Sequence, residues 1–308
     1  MRTKLFLSLL LILSLLMPAA IMAEGETELR VTATFYPLYV ATINVADGVS
    51  GLHIDCLAPP SAGCLHDYQM TTADRRALED TDVLIMNGAG LETFLDKVLP
   101  TLSADVIDAS EGIALLENTH DHEEEAGIHD HDGHDHELNP HVWVSILGMR
   151  DQVRNIAAGL SEIDPANAER YMANAEAYCD SLDALYELMT EALAPYAGAP
   201  IVTFHEAFDY FARDFDLRVV ATVQHEHDAA PSAREMAETA DIIRAENVKA
   251  LFAEPQYEDT SVDILSKETG VPVYLLDPAV SGEVDPADYN AYTRIMEQNM
   301  RTLMEALS

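Results

Sequence analysis

The sequence predicts an α/β protein of two β/α lobes with mostly parallel sheets, bridged by one long helix. Two observations carry this. Short apolar runs of strand length alternate with helix-length amphipathic runs on either side of a single long helical pattern. The chain of 308 residues is also large for one core and fits two lobes of ordinary domain size.

In the first half, 29–35, 51–58, 83–87 and 105–108 read as short buried strands, and 38–47, 72–80 and 92–99 as helices. Strands separated by helices imply parallel pairing through crossovers. Residues 144–160 read as a further helix. Asp164-Pro165 then reads as an N-cap with proline at the first helical position, opening a helix that stops before Pro195. Its apolar positions Tyr171, Ala175, Tyr178, Leu182, Leu185 and Met189 recur at three- and four-residue steps and mark one buried stripe. At about 30 residues it would span roughly 45 Å. The alternation restarts with strands at 201–204, 218–223, 250–253 and 273–276 and helices at 206–214, 233–246, 262–269 and 287–307. Ser232 and Glu235 form a capping box at the start of the second of these helices. The expected organisation is a leader at 1–23, a first lobe at 24–163, a bridging helix at 164–194 and a second lobe at 195–308. The two halves are alike in plan and not in residues.

Met1-Arg2-Thr3-Lys4 is a basic start, 5–16 is almost wholly apolar, and Pro18-Ala19-Ala20-Ile21-Met22-Ala23 is a small-residue region before acidic Glu24. This three-part pattern predicts a secretory signal peptide cut after Ala23; Ile21 is not the ideal small residue there, so a shifted cut or an uncleaved anchor stays open. No cysteine precedes Cys56, so no N-terminal lipid acceptor is expected, and no later stretch is long and apolar enough to cross a bilayer. The expectation is an exported protein of the periplasm or the extracytoplasmic cell surface. Loss of 1–23 removes Arg2 and Lys4 and no acid, moving the formal charge from -37 to -39. Such a surface repels nucleic acid and anionic lipid and concentrates cations. Cys56 and Cys64 flank a turn-rich Pro59-Pro60 loop, and in an exported protein a local disulfide is expected. Cys179 lies in the long helix and reads as a packed thiol.

Between His120 and Glu137, six histidines (His120, His122, His129, His131, His134, His136) stand among eight Asp or Glu residues. No apolar run lets this tract, 118–137 with its flanks, bury a core, so it reads as a solvated loop. Imidazoles with neighbouring carboxylates suit loose capture of borderline divalent ions, and these six are auxiliary metal-ligand candidates. In open parallel sheets, ligands bind beyond the carboxyl ends of the strands. His66, His141, His205 and Asp277 all fall at such positions, two from each half, and together make a His₃-carboxylate set, a normal zinc shell. Glu254 faces the same rim and ranks below Asp277 as fourth ligand. His225 and His227 read as a rim loop, auxiliary at most, and His53 as structural.

At these residues the chain resembles the periplasmic or surface metal-binding proteins of zinc and manganese ABC importers. The resemblance rests on Phe35-Tyr36-Pro37-Leu38, Pro59-Pro60 with His66-Asp67-Tyr68, Asn87-Gly88-Ala89-Gly90-Leu91-Glu92, Asn139-Pro140-His141-Val142-Trp143, Phe204-His205-Glu206-Ala207-Phe208, Pro231-Ser232 and Leu276-Asp277-Pro278. It covers almost the whole mature chain in order. It implies a rigid bridging helix, a metal in the interlobe cleft, ligands at His66, His141, His205 and Asp277, and delivery of Zn2+ to an ABC permease and its ATPase by a monomer. Manganese-binding relatives usually carry Glu at the position of His205, so the third imidazole points to zinc. Asn139 stands where many relatives have Asp, which bears on hydrogen bonding behind the ligands. The alternatives are a manganese-import protein or a metal-binding adhesin or chaperone on the same scaffold. A zinc hydrolase is disfavoured: Glu206 adjoins His205, but no second histidine completes a zincin pattern.

Overall fold

The computed structural model describes residues 28–63, 65–117, 138–223, 231–256 and 260–308. The expected leader, Cys64, the six histidines of the acidic tract, His225 and His227 lie outside them. Among the described residues the chain forms two four-stranded sheets, parallel throughout. The first contains β1 (Leu29–Ala33), β2 (Leu52–Cys56), β3 (Val83–Met86) and β4 (Asp105–Asp108), with α1 (Tyr36–Val45) and α2 (Thr72–Glu79) as crossovers. Then come α3 (Ile146–Ile163) and α4 (Ala168–Leu193). The second sheet contains β5 (Pro200–Thr203), β6 (Arg218–Thr222), β7 (Leu251–Ala253) and β8 (Val273–Leu275), with α5 (Asp209–Asp214), α6 (Ala233–Ala245), α7 (Thr260–Thr269) and α8 (Ala291–Leu307).

The strand orders are β2-β1-β3-β4 and β6-β5-β7-β8, the same path traced twice. In each, the chain steps to one side of its first strand and then crosses to the other. The crossing opens a crevice at the carboxyl ends of the first and third strands. Few other features repeat. α1 is buried at nine of its ten positions, whereas α2 buries only Leu78.

α4 buries the predicted stripe of Tyr171, Ala175, Tyr178, Leu182, Leu185 and Met189, and its 26 residues span about 39 Å at 1.5 Å per residue. Its start differs from the expectation. Asp164 closes α3 at φ -123°, ψ 73°, and its Oδ2 accepts from Asn167 Nδ2 (2.7 Å) and the Tyr171 hydroxyl (2.9 Å). The carboxylate ties the turn between two helices and the helix begins three residues beyond Pro165. α4 packs on α1, α3 and α8, and one continuous apolar core takes in Val31 and Ile85 of the first sheet, Ile201 and Phe252 of the second, and Leu182 and Leu303 between them. A smaller cluster lies under α6 and α7.

Two other expectations change. Residues 92–99 form short 3-10 turns at Thr93–Leu95 and Leu99–Thr101, because the buried Glu92 carboxylate takes donors from the preceding loop and holds its own backbone at φ -90°, ψ 53°. α8 starts at Ala291 because Asp285 accepts the Ala287 N–H (2.9 Å) and makes a turn there. The Cys56 Sγ–H donates to the Ala58 carbonyl (3.1 Å); the expected bridge to Cys64 falls outside the described residues. The Ser232–Glu235 capping box forms as expected, and Thr71–Asp74 makes another on α2. No helix among the described residues is long and apolar enough to cross a membrane.

Candidate metal-binding site

The carboxyl ends of the two sheets face each other across a cleft, and their loops bring three histidines together. His66 sits in the 3-10 turn Leu65–Asp67 beyond β2. His141 leads into the turn Val142–Val144, pressed against the start of α3. Gly148 permits that approach, since a Cβ there would meet the Val142 carbonyl oxygen at 2.2 Å. His205 follows β5 directly, in extended backbone. The rings chain together: His66 and His141 have centroids 5.1 Å apart, and His141 and His205 5.0 Å. His141 is fully buried, His205 nearly so and His66 half-buried.

His66 Nε2 and His141 Nε2 are 3.4 Å apart. Two nitrogens each about 2.0–2.1 Å from a tetrahedral zinc stand about 3.3–3.4 Å apart, so this pair already has the spacing of one tetrahedral edge. The network behind each ring fixes which nitrogen faces the cleft. Asn139 Oδ1 accepts the His141 backbone N–H (3.0 Å) and its Nδ1–H (2.9 Å), leaving the Nε2 lone pair forward. Glu254, immediately past β7, hydrogen-bonds His205 Nδ1 through Oε1, so Nε2 is the forward nitrogen there as well. A carboxylate on the rear nitrogen fixes ring orientation and raises ligand basicity.

Asn139 also reaches across the cleft: its Nδ2 donates to the Glu206 carbonyl (3.0 Å) and to Asp209 Oδ2 (3.1 Å). Burial, followed by the charge of Glu206, pushes the Asp209 carboxyl up to about 6; His141, His205 and the Asn139 donor pull the other way. The Asn139 carbonyl accepts from the Tyr210 hydroxyl (2.6 Å), which in turn accepts the Leu116 N–H (2.9 Å). Trp143 Nε1 donates to the Pro278 carbonyl (2.7 Å), and the Trp143 ring packs edge-on against Phe35 with centroids 4.7 Å apart.

Asp277 stands just past β8, half-buried. Its Oδ1 accepts the Ala279 N–H (2.8 Å) and its Oδ2 the Ser281 hydroxyl. Burial raises its carboxyl above the usual range, and the charge of Glu254 adds to the rise. The structure thus gathers His66, His141 and His205 and holds Asp277 on its own loop at the same rim. Among the described residues no group of three or more His, Cys, Asp or Glu side chains is already arranged around one ion position. The His66–His141 pair is the part with the spacing of a coordination edge. Glu254, ranked as a lesser ligand in the sequence, stands behind His205. Asp209 and Trp143 were not singled out there; the signal for Asp209 is its place four residues after His205, at the first turn of the following helix. His53 pairs with Asp55 on β2 (3.1 Å) away from the cleft.

The family model for "Zinc-uptake complex component A periplasmic" matches residues 31–306. The chain is 31% identical over 288 residues to the zinc-binding lipoprotein AdcA of Streptococcus pneumoniae serotype 4, covering 92% of this chain and 56% of that protein. It is 30% identical over 289 residues to the high-affinity zinc uptake system protein ZnuA of Bacillus subtilis (strain 168), covering 92% and 89%. It therefore spans about half the length of the AdcA proteins. Among solved structures, the solute-binding protein FpvC of P. aeruginosa in complex with Ni2+ superposes with a TM-score of 0.77 at 28% identity, over 91% of this chain and 97% of that one. With nearly the whole described fold inside one family match, the chain belongs to the family of zinc-uptake complex component A proteins.

Proposed function

We propose that this chain is an extracytoplasmic zinc-binding protein that captures Zn2+ and hands it to an ABC-type membrane permease, with His66, His141, His205 and Asp277 as ligands. The observation that carries the reading is the His66–His141 nitrogen pair at 3.4 Å, the edge length of a tetrahedral zinc shell. The rear hydrogen bonds of His141 and His205 support it, because both engage Nδ1 and turn Nε2 toward the cleft. A net charge of -37 draws cations to the surface, and the histidines of the 118–137 tract add loose sites on the way in. The names of AdcA and ZnuA support zinc as cargo.

The reading includes a monomer in the periplasm or on the extracytoplasmic surface, with an ATPase driving the permease. It also includes no catalysis. Glu254 is engaged on the rear nitrogen of His205, so it is not free to act as the general base that a zinc hydrolase needs. Calorimetric titration of the metal-free mature protein with Zn2+ and with Mn2+, repeated on His205→Glu, tests the assignment. Tight zinc binding, weak manganese binding and a loss of zinc affinity in the variant are expected. Preference for manganese, or indifference to the substitution, would move the main site or change the metal.

A further inference from the structure

On the outside of the lobe seam, far from the histidines, α4 floors a groove of about 550 Å³. The end of α1 forms one wall, and the segment leading into α8 with its first turns forms the other, so both lobes contribute. Its polar lining is unusual in what it has left to offer. Asn44 Nδ2 donates to the Val40 and Tyr289 carbonyls (2.8 and 3.0 Å). Asn174 Nδ2 donates to the Val45 and Asp47 carbonyls (2.9 and 2.8 Å). Each amide has two N–H bonds, so both are committed and only the side-chain oxygens remain.

The hydroxyls tell the same story. Ser181 donates to Ala177 O (3.1 Å) and Thr293 to Asn290 O (3.0 Å), and the Tyr289 hydroxyl donates to Asp47 Oδ1 (3.0 Å). Asp47 and Glu297 add carboxylate oxygens, the latter held only loosely by Arg301 at 3.4 Å. No lysine or arginine lines the groove; nearby Arg170 has its Nε on the Asp47 carbonyl. Beneath this rim Tyr178 is 6% exposed, and its hydroxyl has no hydrogen-bond partner among the described residues. A buried hydroxyl in that condition needs an explanation. Ala177, Ala184, Leu185 and Leu188 supply an apolar strip along the same helix face.

We infer that this groove is a second ligand site, selective for an alkylammonium: a primary amine cation on an aliphatic stem. An acceptor-rich rim with two carboxylates rejects anions and favours a cation with several N–H donors. The apolar strip covers the methylenes between charged ends. The Tyr178 hydroxyl and the Asn290 amide are the side-chain donors in the lining without an acceptor among the described residues, so polyols, which need donors and acceptors paired along their length, fit poorly.

The experiment is calorimetric titration of the metal-free mature protein with spermidine at physiological ionic strength, with hexamethonium as a dication of similar stem but no N–H, and with glycerol. One-site saturable binding of spermidine is expected, with hexamethonium and glycerol failing to saturate. In Asp47→Asn/Glu297→Gln the spermidine affinity should fall about tenfold, the scale of one hydrogen bond to a charged group. Zinc affinity should be unchanged, which separates this site from the histidine cleft. Equal binding of hexamethonium, or an affinity indifferent to the double variant, would make the attraction a bulk effect of the acidic surface and overturn the site. A control removing two distant carboxylates, Glu246→Gln/Glu268→Gln, should leave spermidine binding intact; a matching loss there would have the same meaning.

Discussion

The crevices at the ends of the two sheets carry a carboxylate each and use it in opposite ways. At the β1/β3 end of the first sheet, Glu92 is turned inward. Its Oε1 accepts the Thr34 hydroxyl (2.8 Å) and the Asn87 N–H (2.6 Å), and its Oε2 accepts the Gly88 N–H (3.1 Å). At the β5/β7 end of the second, Glu254 engages an imidazole that faces the cleft. Identical strand order supplies a crevice in both places. Where the lobe's own N–H groups surround the carboxylate, the crevice seals; where a histidine intervenes, it opens toward a ligand. Gly88 is part of the seal: it sits at φ 75°, and a Cβ there would lie 1.9 Å from Asp108 Oδ1.

The open crevice gives the largest effects. His205→Ala should lower zinc affinity by about a hundredfold or more, about 3 kcal/mol, measured by competition with a chromophoric chelator. Wild-type affinity in that variant would remove His205 from the site.

Next come the groups behind the rings. Glu254→Gln and Asn139→Leu should each weaken zinc about 10- to 100-fold. Asn139→Asp should recover part of the loss, since an acceptor for His141 Nδ1 returns while a second carboxylate is placed against Asp209. If Leu and Asp behave alike at 139, the hydrogen bond to His141 is not what matters.

The sealed crevice is tested by pH and not by metal. Burial pushes the Glu92 carboxyl up to about 7, against the pull of its donors. Its folded value lies above its unfolded value, so the folded chain binds more protons than the unfolded one between about 4.5 and 7, and stability falls as pH rises through that window. Glu92→Gln should remove that slope; its amide nitrogen cannot accept the Gly88 N–H held by Oε2, so the slope and not the absolute stability is what the variant reads. Urea unfolding across pH 4.5–8 measures the difference. An unchanged slope would mean that Asp108, Asp209 and Asp277 account for it.

The smallest effect concerns the tie between lobes. Trp143→Phe leaves the Pro278 carbonyl without its donor and should cost about 1–2 kcal/mol of stability, with zinc affinity little altered. A large affinity loss would promote Trp143 from a tie to a determinant of ligand placement.

The alternation of apolar runs was enough to read both sheets, because parallel strands buried on two faces are continuous apolar segments. It could not show that Glu92 would end a helix before it started, since that depends on Asn87 and Gly88 folding back over it. The place of His205 directly after β5 was legible, whereas His141 follows no strand directly and leads into the turn before α3. The pairing of Glu254 with His205 was not legible: they are 49 residues apart and meet only because β5 and β7 are neighbours. Asp164 shows a local limit. An Asp-Pro pair looks like the start of a helix, yet the carboxylate works for the helix that has just ended and the next one begins at Ala168.

The continuous core has a mechanical consequence. Val31 and Ile201 belong to different sheets yet to one apolar cluster, and α8 of the second half lies against α4 and α1. A wide rocking of one sheet against the other would expose surface whose burial is worth roughly 25 cal/mol per Å², a cost that a ligand's differential binding would have to offset. On the proposed function, loading would change the loops that carry His66, His205 and Asp277, and a partner would then read the relief of that rim and not the angle between the sheets.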